Sequence, residues 1–276
     1  MKSIVVFGDA LAGSIAVVLG RLAGIHGQYR VIHVTPGTLV EPHLDTCAIL
    51  LRQAPYEADW LSSQLPAGCT RTTFPSLELR RLWPFTCVNP FNWPATPSFP
   101  NGPFPYGDSF IVSCLEQHVD PGKIVDYYLS VEWDAGWPDL DALEQDELTR
   151  LKMLDAQADF GMASYISEHI AQRRLFWSIS GPSNELLCEL IVRTMERAFP
   201  AKTLTTRRVL SEVLRHFGDR DLFGSLGVPI HPYVAQHFSL AWYDPQALYP
   251  YFGEMLSYRE YFERMVRESL VSAGAR

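Results

Sequence analysis

Cysteine is scarce in this chain, with five residues in 276, an odd number without a Cys-x-x-Cys pair. That excludes a disulfide framework and points to free thiols in a reducing compartment. Positive charge is also short. Lysine plus arginine number 23 against 31 aspartate plus glutamate, a formal net charge of -8. Such a chain is a poor partner for nucleic acid or an anionic membrane face, because both need a positive field. No apolar run approaches the roughly 20 residues that cross a bilayer, so no membrane insertion is expected. The run Ile4 to Phe7 is too brief for the core of a secretory leader. No His/Cys/carboxylate group has zinc spacing, so no metal is expected. There is neither a Gly-x-Gly-x-x-Gly fingerprint nor a Gly-Lys-Ser/Thr phosphate loop. A cytoplasmic, soluble protein is the expectation. Its 47% hydrophobic and 20% charged residues are enough to build a full core.

What is present divides the chain. Ile4-Val5-Val6-Phe7 ends at Gly8-Asp9, the pattern of a buried strand running into a turn. Ile15, Val18, Leu19 and Leu22 then repeat at helical spacing up to Gly24. Val31 to Val34, Cys47 to Leu51 and Thr70 to Phe74 read as further strands, and Leu175 to Ile179 as a fifth. Strands alternating with helices predict an α/β fold: a small parallel sheet of four or five strands, covered on both faces. The C-terminal half, opened by an Asp139 cap and closed by the Tyr258, Tyr261, Phe262 and Met265 stripe, is expected to be mainly helical. Gly181-Pro182 is expected to open one of its helices and Thr206 to cap another before Gly218. Between the halves, residues 84–106 carry prolines from Pro84 to Pro105 interleaved with Trp83, Phe85, Phe91, Trp93, Phe99 and Phe104. Proline at this density stops helix and central strand alike, whereas the aromatics argue against a solvated linker. We read an ordered loop forming a lid or pocket wall within one domain of residues 1–276, flanked by an α/β part (1–83) and a helical part (107–276).

In parallel sheets, ligands bind beyond the carboxyl ends of the strands, which here carry the Gly8 turn, Gln53 and Pro75-Ser76. The turn presents helix N–H groups that favour phosphate or a developing oxyanion. Asp9 is a candidate base or an N-cap. His231 is the first choice of base among His118, His231 and His237. Arg173-Arg174 could hold phosphate, while Arg80-Arg81 and Arg207-Arg208 read as surface doublets. Cys47 and Cys188 lie on apolar faces as inert thiols, and Tyr127-Tyr128 and the late Tyr/Phe stripe read as core. The acidic stretch Asp139 to Glu147 reads as a solvated helix start.

Val5-Val6-Phe7-Gly8-Asp9-Ala10-Leu11 resembles the opening block of the GDSL/SGNH hydrolases, with Ala10 at their serine position. The Asp-x-x-His pair of those enzymes does not occur. An esterase would need a serine elsewhere, such as Ser109 in Gly107-Asp108-Ser109. A longer resemblance is to the WcbI-like polysaccharide biosynthesis family, which opens with strand-Gly-Asn-Cys-Gln-helix. It is carried in order by Gln53 after a strand, Phe74-Pro75-Ser76-Leu77 before Trp83-Pro84, Arg174-Leu175-Phe176 before Pro182-Ser183, and Pro229-Ile230-His231-Pro232. The resemblance implies binding of coenzyme A or an acyl-CoA and acyl transfer to a sugar. It places the ligand at Gly8, Ala10, Leu11, Gln53, Arg173, Arg174 and Ser183, with His231 and Asp9 as catalytic groups. The implied partners are a small acyl donor and acceptor. Asp9, Ala10 and Leu11 stand where the family has Asn-Cys-Gln, and Gly181-Pro182-Ser183 where it has His-Pro-Ser. Alanine has no nucleophile, so a covalent intermediate at position 10 is excluded. The expectation is direct transfer or, alternatively, a non-catalytic ligand-binding relative.

Overall fold

The computed structural model describes residues 1–37, 44–57, 60, 63–92, 96, 99, 101–130, 137–199, 207–215 and 222–274. Four strands form one parallel sheet: β1 (Lys2–Phe7), β2 (Tyr29–Val34), β3 (Cys47–Gln53) and β4 (Thr70–Phe74), in the order β2-β1-β3-β4. Helix α1 (Ala10–Arg21) links β1 to β2, with the short α2 (Ala23–His26) behind it. The first helix stops at Leu22, before the expected Gly24, because the backbone of Leu22 is already extended.

Alternation along the strands sorts the core. Ile4, Val6, Ile49 and Leu51 face the main cluster, shared with Ile15 and Leu19 of α1. Val5, Phe7 and Leu50 face the opposite side, where Val34, Leu44 and Cys47 cover them. Successive side chains of a strand point to opposite faces, so a continuous apolar run serves both layers. Among the described residues the second face is covered by Leu44, Tyr56, Leu65 and Cys69, with Trp60 edge-on to Phe7 at 6.3 Å. Burial pushes the Cys47 thiol up to about 12, in keeping with an inert cysteine.

The sheet ends at β4. Thr73 donates its N–H to the Asp159 carboxylate at 2.7 Å and accepts from the Asp159 N–H at 2.9 Å. These bonds occupy part of the edge that a further strand would use. The expected fifth strand forms, but not in this sheet.

Two short strands frame the proline-aromatic segment: β5 (Thr86–Val88) and β6 (Tyr106–Asp108), paired antiparallel. Trp93, Pro94, Pro97 and Pro100 lie outside the described residues, whereas Phe104 is buried and stacks on Tyr251. The helical half follows with α3 (Ser109–Glu116), α4 (Pro121–Ser130), α5 (Leu140–Asp155) and α6 (Ala163–His169). Asp139 caps α5 as read, accepting from the N–H groups of Asp141 and Ala142 at 3.0 Å each. Next come β7 (Phe176–Ser178) and β8 (Gly181–Pro182), an antiparallel hairpin holding the residues expected in the fifth strand. Gly181-Pro182 therefore ends a hairpin instead of opening a helix. Ser183 is the cap of α7 (Asn184–Ala198), which packs on β3 and β4.

Helix α8 (Arg207–Arg215) packs on α7, with Thr206 and Gly218 outside the described residues. Then follow α9 (Pro232–His237), the hairpin of β9 (Tyr249–Tyr251) and β10 (Glu254–Leu256), and α10 (Tyr258–Gly274). The Tyr258, Tyr261, Phe262 and Met265 stripe is buried against Phe104, Ile111, Ile124 and Tyr128, while Tyr127 stays exposed. Among the described residues no helix is long and apolar enough to cross a membrane.

Two surface readings are corrected. Glu147 is buried, accepts from the backbone N–H groups of Arg80 and Arg81, and pairs with Arg150. Arg81 is buried as well, paired with Glu144 and lying over the ring of Phe238. Charges leave water when fixed partners replace their hydration, and the turn after β4 supplies those partners.

Gly8 sets the geometry of the first turn. Its φ is +153°, and an added Cβ would stand 2.4 Å from Gln53 Oε1 and 2.6 Å from Gln53 Cβ. Gly8→Ala is expected to destabilise the fold by about 2–3 kcal/mol through overpacking and backbone strain. Urea denaturation tests this; an unchanged midpoint would show that the turn yields.

Candidate active site

The carboxyl ends of β1, β3 and β4 are tied together by one buried amide. Gln53 Oε1 accepts the Asp9 N–H at 3.0 Å, and Gln53 Nε2 donates to Ser76 Oγ at 2.9 Å. Ser76 Oγ in turn donates to the carbonyl of Ala54. The Gly8 N–H reaches back to the Val34 carbonyl at 3.1 Å, and a ring nitrogen of His33 meets the Gly8 carbonyl at 3.0 Å. Asp9 caps α1, accepting from the Leu11 N–H at 2.8 Å, while its other oxygen accepts from the Tyr56 hydroxyl at 3.1 Å. Burial, then the neighbouring Asp9 charge, push the Tyr56 hydroxyl above its usual range and keep it a donor.

A cavity of about 470 Å³ opens over this rim. Asp9, Ala10, Leu11 and Gln53 form its floor, and Ser76, Leu77 and Glu78 one side. Asn101, Pro105 and Tyr106 bring in the proline-aromatic segment, whose described part is thus a pocket wall as expected. The β7–β8 hairpin adds Ser178, Ser180 and Gly181, and the Tyr106 hydroxyl lies 2.6 Å from Ser180 Oγ. Leu222, Phe223, Ser225, Leu226 and Phe252 close the far side. Serines 178, 180 and 225, with Tyr106 and Asn101, escape sequence reasoning because they come from three separate segments and none belongs to a motif. Only the loop's composition hinted at Asn101 and Tyr106.

The remaining expected site residues stand elsewhere. Gly8 supports the floor through its backbone. Arg173 is half-exposed and paired with Glu185 at 2.6 Å. Arg174 is sandwiched among Trp177, Trp242 and Tyr249, with its guanidinium 4.5 Å from the centre of the Trp177 ring. Ser183 Oγ accepts from the Leu186 N–H at 3.3 Å, as a helix cap does. None of the three lines the cavity. Ser109, the alternative nucleophile, opens α3 and is likewise not among the lining residues.

His231, the candidate base, caps α9 and is not among the described residues that line this cavity. Its Nδ1 accepts from the Tyr233 N–H at 3.2 Å, and its Nε2 lies 3.4 Å from the Tyr128 carbonyl. Burial holds its pKa below the usual imidazole value. It lines a separate hollow of about 20 Å³, together with Trp83, Asp108 and Tyr128. The Pro-Ile-His-Pro block signals a helix start here, since histidine and the following proline both suit that position.

The chain matches the family of the polysaccharide biosynthesis enzyme WcbI over residues 3–199. It belongs to the WcbI family. Among curated proteins none matches its sequence. A solved structure of WcbI, described as a novel polysaccharide biosynthesis enzyme in its native form without a disulfide bond between coenzyme A and one of its cysteines, has the same fold. It superposes with a TM-score of 0.72 at 15% identity, over 99% of this chain and 92% of that one. In this WcbI-family chain the described wall residues include neither cysteine nor histidine. Position 181, where the resemblance leads us to expect histidine, is tightly closed: a Cβ on Gly181 would lie 2.6 Å from Ser178 Oγ. Ser178 thus fills space beside the missing side chain.

Asp108, in the small hollow, is fully enclosed and accepts from the Tyr128 hydroxyl at 2.7 Å. Burial pushes its carboxyl from 3.8 to about 6, against the opposing effect of its hydrogen bonds. A carboxyl raised on folding holds its proton where the unfolded chain has lost it, so stability falls as pH rises from 3.8 to about 6. Asparagine caps α3 equally well. Asp108→Asn is expected to flatten that fall in urea denaturation series across this pH window; an unaltered pH profile would mean that Asp108 folds ionised.

Proposed function

We propose that this WcbI-family protein binds coenzyme A or an acyl-CoA and transfers the acyl group directly to a hydroxyl or amine of a sugar or other small metabolite. The observation that carries the reading is the cavity over the first βα turn, with Asp9 in its floor and Ala10 where the family's cysteine stands. Family membership supports a role in polysaccharide synthesis, and coenzyme A is named with the WcbI structure of the same fold.

The wall suits part of such a donor. Among the described residues its lining includes no lysine or arginine, so this part fits the uncharged arm and thioester better than the phosphates. Outside the wall, Arg80 is exposed beside Glu78, and its guanidinium would pair with a donor phosphate. In direct transfer the acceptor oxygen or nitrogen attacks the thioester carbonyl carbon. The carbon–sulfur bond breaks, and the thiol leaves with a proton. Asp9 would take the acceptor's proton. The first turn of α1 would face the developing oxyanion with amides that have no acceptor within the helix.

A second reading, a ligand-binding relative without catalysis, is favoured by Ala10 and Gly181, which replace both reactive side chains of the family pattern. Calorimetry with coenzyme A and acetyl-CoA, followed by turnover with a mixed acceptor panel, separates the readings. The proposal expects saturable binding, and a fall in turnover of about 10²-fold or more in Asp9→Asn with donor binding retained. No binding at millimolar ligand would remove it, and binding with intact donor for every acceptor would leave the binder.

A further inference from the structure

The hairpin β9–β10 turns through Phe252 and Gly253, whose φ angles are +43° and +103°. Two-residue turns of this handedness favour Asn-Gly or Gly-Gly, because both central residues need positive φ. A bulky phenylalanine at the first position is strained, and such strain persists where the surroundings enforce it and clusters at ligand sites. Here the residue is held by its N–H bond to the Ser225 carbonyl at 2.7 Å and by the Phe99 ring at 4.8 Å. It lines the cavity.

Opposite chemistry completes the wall. Ser178, Ser180, Ser225, Tyr106 and Asn101 offer groups that both donate and accept, as sugar hydroxyls require of their partners. Among the described residues the charged groups lining the cavity are acidic, Asp9 and Glu78. Glu78 is matched from outside by Arg80 and Arg150 at 3.3 Å each, and Arg150 is shared with Glu147. The partners of Asp9 are the Leu11 N–H and the Tyr56 hydroxyl, both uncharged. Its carboxylate also answers the positive end of the α1 dipole, which would otherwise attract an anion.

We infer that the cavity is a subsite for an uncharged or amino sugar, with the Phe252 ring as the platform for the sugar's C–H face and Asp9 as the group that excludes acidic sugars. This rests on the proposed function, with the cavity as the place where the acceptor sugar meets the donor's thioester, and not on the transfer step itself. Like charge at close range rejects uronic acids, whereas a protonated amine gains a charge-assisted bond.

The test uses the full chain without acyl donor. Saturation-transfer NMR titrations compare glucose, galactose and mannose, each with its 2-amino and its uronic acid counterpart. In at least one configuration the neutral and amino forms are expected to bind, with the uronic acid weaker by about tenfold or more. Asp9→Asn should narrow that gap. Phe252→Asn should weaken every sugar while leaving the thermal midpoint near that of the parent, because asparagine suits the turn that phenylalanine strains. Uronic acids binding as well as their neutral counterparts, sugar binding untouched by Phe252→Asn, or no binding in any configuration would each overturn the inference. Failure of coenzyme A to bind, with this sugar pattern intact, would instead remove only the transfer reading.

Discussion

Gln53 is the joint on which the site depends. One side-chain amide, fully inside the protein, uses its oxygen on the turn after β1 and its nitrogen on the segment after β4. Each partner group would carry a desolvation cost without it, since a buried amide group left unpaired is penalised by about 1–3 kcal/mol. The close approach of Gly8 follows from the same contact, because the glutamine occupies the space a side chain would need. Strand ends, turn and cavity floor are therefore one construction. Asp9 is held on its backbone side by Gln53 and on its carboxylate side by Tyr56, so a group presented to the cavity is also fixed in direction.

Much of this was legible in the chain where local pattern and tertiary environment agree. The apolar runs of β1 and β3 announced buried strands, and Asp139 announced its helix. The position of Gln53 after a strand, together with the Gly8 turn, marked the rim where the cavity lies. Reading failed where a residue's meaning came from a distant partner. Glu147 looks like a solvated acid until Arg80 and Arg81 turn their N–H groups onto it. Arg174 looks like a phosphate clamp until three rings enclose it. His231 looks like a base until its ring nitrogen accepts the N–H two residues ahead, a local event that charge and spacing do not report. The cavity's serines carry no motif; topology alone gathers them.

Family membership and residue chemistry pull in different directions at the floor. The family is one of polysaccharide biosynthesis, yet among the described wall residues there is neither a thiol nor an imidazole. What persists is shape, hydrogen-bonding capacity and a carboxylate at a helix start. Those features position and discriminate ligands whether or not a bond is made, so binding and chemistry are separable properties of this architecture.

The clamp of Asp159 on Thr73 has an effect well beyond the border it closes. With part of the outer margin of β4 already taken, a later extended stretch, Phe176–Ser178, pairs with Gly181-Pro182 instead. A segment that reads as one more rung of the sheet lines the cavity instead, through Ser178, Ser180 and Gly181. The hollow owes one of its sides to a carboxylate that never touches it.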